Sequence, residues 1–193
     1  MRRYLLMMHC LFLLLAMGNT QVNAQKVALK ANVLKYATAT LHLEPEVVVG
    51  RKSSLSLGVS YNPWTFSDNM KWKHLRIQPE YRYWLCRPMG GHFLGLHASY
   101  TRFNIGHIPL PFGLLPQLDE QRMQGNEWAV GIGYGYHWIL SPHWSIEAEV
   151  GVGYSHGDFK RYECQKCGDY LDTKHLNRVM PTKLAVSFIY VIR

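Results

Sequence analysis

Most residue types that could do chemistry in this chain recur at every second position. Lys30, Glu44, Glu46, Arg76, Glu80, Arg82, Glu147 and Glu149 all fall on one side of a two-residue alternation. Apolar residues fill the other side. Charges held that way either face water or pair with one another in a closed space. A paired set is expected, with a proton or solute path as the functional alternative. His97 and Ser99 put an imidazole and a hydroxyl on one face, two residues apart, and Glu147 or Glu149 would complete an acyl-transfer triad. Cys164 and Cys167 form a C-x-x-C. In an oxidising compartment that spacing reads as a local disulfide, and a metal site with His156 or His175 is the alternative. Cys86 then stays unpaired. The sequence has no glycine-rich phosphate loop, metal-ligand helix or nucleophile elbow, so no cofactor and no metal are expected.

The N-terminus bears on the compartment. Arg2 and Arg3 precede an apolar run from Leu5 to Met17, and Val22-Asn23-Ala24 offers small residues at a cleavage point. Residues 1–24 are expected to be a cleaved signal peptide, with residues 25–193 forming one domain. The run is shorter than the roughly 20 residues of a membrane helix. The formal charge is +8, and losing Arg2 and Arg3 leaves 19 basic against 13 acidic residues, or +6. Outside the cytoplasm such a surface meets anionic lipid or polysaccharide rather than nucleic acid. No basic helix or nucleic-acid motif contradicts that.

Eight segments alternate with period two, as strands with two unlike faces do. They are Lys26–Tyr36, Leu41–Val49, Ser54–Asn62, Lys73–Leu85, His92–Phe103, Glu127–Leu140, His143–Tyr154 and Thr182–Arg193. Most are longer than the 5–6 residues usual in soluble sheets and suit the roughly 9–11 of a tilted membrane strand. Aromatic residues end the apolar face of two strands: Trp128 and Trp138, then Trp144 and Tyr154. The expected fold is therefore all-β: an eight-stranded antiparallel transmembrane β-barrel with a filled polar lumen, in the cell outer membrane. Short connections at Gly50–Ser53, Cys86–Gly91 and Ser141–Pro142 would be periplasmic turns. Long ones at Pro63–Trp72, Asn104–Asn126 and Ser155–Met180 would be outer loops. Pro45 and Pro79 lie inside strands, where they cannot donate to a ladder, so each is expected at a bulge or near a loop.

Several stretches carry a resemblance. They include Tyr61-Asn62-Pro63-Trp64-Thr65-Phe66, Gln78-Pro79-Glu80-Tyr81-Arg82-Tyr83-Trp84, Tyr134-Gly135-Tyr136-His137-Trp138-Ile139-Leu140 and Cys164-Gln165-Lys166-Cys167-Gly168. The chain resembles a family of small outer-membrane proteins of Bacteroides-type bacteria known only as a domain of unknown function. The resemblance implies a secreted barrel, often encoded near fimbrial subunits, with no established catalytic residue. His97-Ala98-Ser99 alone resembles lipid A deacylases. The alternation turns those two side chains inward, whereas a lipid hydrolase must present them to lipid.

The connections are the remaining candidates. Ile108, Leu110, Phe112, Leu114 and Leu115 make the Asn104–Asn126 segment strongly apolar, either as a lid on the barrel or as an interaction surface. Lys160, Arg161, Lys166, Lys174 and Arg178 make the last segment basic, suited to lipopolysaccharide phosphates or to water. The leading expectation is a non-enzymatic scaffold or accessory protein that works with fimbrial or other surface proteins. A barrel contacting lipopolysaccharide, or a lipid A-modifying hydrolase using His97 and Ser99, are the alternatives.

Overall fold

A computed structural model describes residues 26–66, 71–106, 121–163 and 169–192. The strands are β1 (Val27–Asn32), β2 (Leu41–Gly50), β3 (Ser53–Asn62), β4 (Lys71–Trp84), β5 (Gly91–Gly106), β6 (Gln121–Ile139), β7 (Trp144–Glu163) and β8 (Tyr170–Ile192). Each pairs antiparallel with its sequence neighbours, and β1 pairs with β8, so the ladder closes into a barrel. Closure removes every sheet edge over the height that all eight strands share.

The expected alternation holds around this ring. Above the tight-turn end, inward positions are mostly polar or small and buried; outward positions are mostly apolar and exposed, among them Trp128 (61%), Val130 (60%) and Ile132 (65%). Glycines let the β6 and β7 walls approach closely: a Cβ on Gly131 would lie 2.6 Å from Val152 O and 2.8 Å from His97 Nε2. At the tight-turn end, Trp84, Met89, Phe93, Ile189, Ala28 and Val191 pack into an apolar floor.

Four expectations need correction. The first strand stops at Asn32, and Val33–Ala37 form a short helix, α1. Asn32 makes the change by accepting the Leu34 N–H with its own side chain, 3.0 Å away. Neither proline makes a bulge or lies beside a loop. Leu43 pairs with Val59 and Glu46 with Ser56 in one register across Pro45; Ile77 pairs with Tyr100 and Glu80 with His97 across Pro79. Each proline silences its ladder on one side only, since Pro45 still pairs with Leu29 and Pro79 with Leu57. Asn104–Gly106 and Gln121–Asn126, expected as loop, belong to β5 and β6. Likewise Ser155–Glu163 and Tyr170–Met180 belong to β7 and β8. In these extensions polar residues occupy both faces, so the ladder continues where the alternation fades.

The expected signal peptide (1–24), the apolar set Ile108, Leu110, Phe112, Leu114 and Leu115, and the pair Cys164 and Cys167 lie outside the described residues. Cys86 is a free, exposed thiol at the tight-turn end.

Candidate functional site

Four strands supply the charges that the alternation turns inward. β1 supplies Lys30, β2 Glu44 and Glu46, β4 Glu80 and Arg82, and β7 Glu147 and Glu149. All are inward by the strand alternation, and none is more than 5% exposed. Arg82 is the hub. Its Nη1 donates to Glu46 (3.3 Å) and Glu147 (2.8 Å); its Nη2 donates to Glu44 (3.1 Å), Glu80 (3.1 Å) and Glu149 (2.8 Å). A planar guanidinium can address two groups of carboxylates at once, which an ammonium cannot. Lys30 bridges Glu46 and Glu147, the latter at 3.1 Å. Below the hub, Phe93 lies under the guanidinium at 4.6 Å, and Trp84 packs on Phe93 at 4.9 Å.

Two departures concern charges. Arg76 does not join the network. It sits nearer the open end, where Nη2 donates to Thr182 O (2.7 Å) and Ser99 Oγ (3.1 Å). The cation that takes its expected place is Lys183. It pairs with Glu80, with Glu149 at 3.0 Å and with Glu44 at 3.7 Å. Lys183 alternates with the inward Ala185 and Ser187, so the pattern of the last strand already placed it indoors. His137 also joins, with Nδ1 3.2 Å from Glu147 Oε2.

Cations are outnumbered: Glu44, Glu46, Glu80, Glu147 and Glu149 face Lys30, Arg82 and Lys183. Each carboxylate nonetheless reaches at least one cation, which buried charge requires.

His97 and Ser99 are both inward and buried, at 1% and 3% exposure. They are not partners. Ser99 Oγ accepts from Arg76, and His97 Nε2 lies 2.8 Å from Thr182 Oγ1. A serine whose oxygen is held by a guanidinium and buried inside the barrel does not form the acyl-transfer arrangement the tripeptide suggested.

Above the shared ring, the β5–β8 extensions carry their own polar contacts. Arg161 Nε donates to Asp172 at 2.6 Å, and that bond holds the Asp172 carboxyl below its ordinary range. His156 Nδ1 lies 2.6 Å from Asn177 Oδ1. Among the described residues, no group of three or more His, Cys, Asp or Glu is placed to hold a metal ion.

A family model matches residues 10–192, which includes every strand of the barrel. The chain belongs to DUF3575, described as a protein of unknown function. No curated protein and no solved structure matches it. This DUF3575 member is thus a closed eight-stranded β-barrel around a charged interior.

Proposed function

We propose that this protein crosses an outer membrane with its eight strands and acts there as a non-enzymatic scaffold. One observation carries the reading: the barrel is apolar outside and ionic inside. Outward side chains form a band bounded by aromatic residues, with Tyr100, Trp128 and Tyr154 near the open end and Trp138, Trp144 and Tyr190 near the tight turns. From Trp128 to Trp138, at about 3.3 Å per residue and a tilt of about 40°, the band is about 25 Å tall, the height of the apolar belt of membrane barrels. Lipid is the solvent that suits such a wall. The signal-peptide pattern of residues 1–24 supports export. The tight-turn end would then face the periplasm and the β5–β8 extensions the outside. A place beside fimbrial subunits, which the resemblance implies, is a proposal of the same kind.

Tryptophan quenching tests the crossing. In vesicles of phospholipids brominated high on the acyl chain, Trp128, Trp138 and Trp144 are all expected to be quenched. Bromines at the chain ends should quench them less. Emission indifferent to lipid bromine would remove the membrane from the account.

A second reading has its own observation. Lys73 and Arg102 lie on the outer face just past Leu75 and Tyr100, on neighbouring strands. That is headgroup height, where cations suit lipopolysaccharide phosphates. The double substitution Lys73→Gln/Arg102→Gln is expected to reduce lipopolysaccharide that co-purifies with the barrel severalfold. Equal recovery would leave these cations as solvated rim residues.

A further inference from the structure

The strands end at unequal heights on the open side. β1 leaves its ladder at Asn32, opposite Ser187. β8 continues from there to Tyr170, and β7 accompanies it to the pair Tyr162–Tyr170. The first step past β1 is covered: Asn32 Nδ2 donates to Leu184 O at 3.3 Å, and Arg76 donates to Thr182 O. Beyond Thr182, β8 is paired on the β7 side, and no described strand pairs with its other side.

The ladder reveals which peptide groups that leaves open. Val191 N–H donates to His143 O at 2.8 Å, so odd-numbered residues of lower β8 turn toward β7. Even-numbered ones turn away, as Leu184 O does. A one-residue slip between Gly151 and Val152 inverts this order on β8. Past the slip, the N–H and C=O of Thr173, His175, Asn177 and Val179 point to the open side. Val179 is 70% exposed. The alternating side chains of Lys174, Leu176 and Arg178 lie on the concave inner face, opposite Phe159, Gly157 and Ser155. A strand edge of this length is a template for another strand.

The geometry points to Thr173–Val179 as a strand-addition site for an extended segment of another surface protein, with two carboxylates opposite Lys174 and Arg178 and an apolar residue between them over Leu176. Directly opposed residues on one face of a strand pair interact, and opposite charges favour the pairing. Arg178 has no carboxylate partner among the described residues. Lys174 has only Asp172 at 3.6 Å, which Arg161 already holds.

A second copy of this chain fits the edge poorly. Antiparallel pairing of two β8 edges needs a two-fold axis across the strands. Two barrels in one membrane share an orientation, and their edges, each tilted about 40°, would cross rather than align. This exclusion rests on the membrane-crossing reading.

Panning displayed random twelve-residue peptides tests the site. The target is the full chain in lipid discs and, separately, in detergent micelles. Counter-selection uses the double variant Thr173→Pro/Val179→Pro. Proline is tolerated where its missing N–H would face solvent, so the β7–β8 ladder should survive, which circular dichroism checks. Enriched peptides are expected to alternate acid-x-apolar-x-acid and to bind wild type about tenfold more tightly than the variant, as loss of two edge hydrogen bonds implies. They should also slow amide exchange at Thr173, His175, Asn177 and Val179. Peptides that bind both proteins equally, or protection appearing elsewhere, would overturn the site. So would protection of the same four amides by a second copy without peptide. If the chain fails to enter lipid discs but still selects edge peptides in micelles, the crossing falls and the strand-addition site stands.

Discussion

Arg82→Met is expected to cost the barrel about 3–5 kcal/mol, the loss seen when one partner of a buried ion pair is removed. Here one guanidinium serves Glu44, Glu46, Glu80, Glu147 and Glu149, so the upper end of that range is the expected one. Only Lys30 and Lys183 would remain to face them. Arg82→Lys keeps the charge but loses the fork. A single ammonium reaches either the Nη1 pair of carboxylates or the Nη2 trio, and its stability should fall between wild type and methionine. Urea unfolding in detergent micelles, followed by tryptophan emission, measures all three. Equal midpoints for wild type and lysine would mean that the fork geometry contributes nothing.

Trp84→Ala should cost about 3–5 kcal/mol by a different route, the cavity left by a large buried aromatic. The indole is fully buried in the floor against Phe93 and 5.7 Å from His137. It has a second task. Nε1 donates to Ser54 Oγ at 2.8 Å, and Ser54 in turn donates to Glu46. Trp84→Phe refills most of the volume but drops that donor. It should recover most of the stability and still fall short by about 1 kcal/mol, the net worth of one hydrogen bond. If alanine and phenylalanine unfold at the same urea concentration, packing at the floor is not what Trp84 supplies.

The sequence made the shared height of the barrel readable because one face of each strand meets a different environment from the other. That contrast forces period two, and it assigns Glu80, Arg82, Glu147 and Glu149 to the interior from the sequence alone. Where the contrast ends, so does the signal. His156, Asp158 and Lys160 alternate with Gly157, Phe159 and Arg161, mixed on both faces, so β7 past Tyr154 looked like loop. α1 was hidden for the opposite reason: Val33 and Leu34 are apolar enough to extend a strand, and only the Asn32 side chain turns the backbone. Arg76 and Lys183 illustrate a third limit. Alternation assigns a face but not a height, and height decided which cation meets the carboxylates. The hydroxyl beside His97 is likewise a matter of three-dimensional neighbours. Thr182 lies far along the chain, while Ser99 is close in sequence and bonded elsewhere.

The hub also constrains how the molecule comes into being. Arg82 and its partner Glu80 sit on the fourth strand; its other partners sit on the second and the seventh, and Lys183 on the last. A nascent sheet lacking its final hairpin would expose Lys30, Arg82, Glu44, Glu46 and Glu80 along one whole side. For the membrane-crossing barrel proposed above, that intermediate is prohibitively costly in lipid. Assembly strand by strand within the bilayer is therefore disfavoured, and closure and insertion should be a single concerted event, with the ions kept wet until the last seam zips.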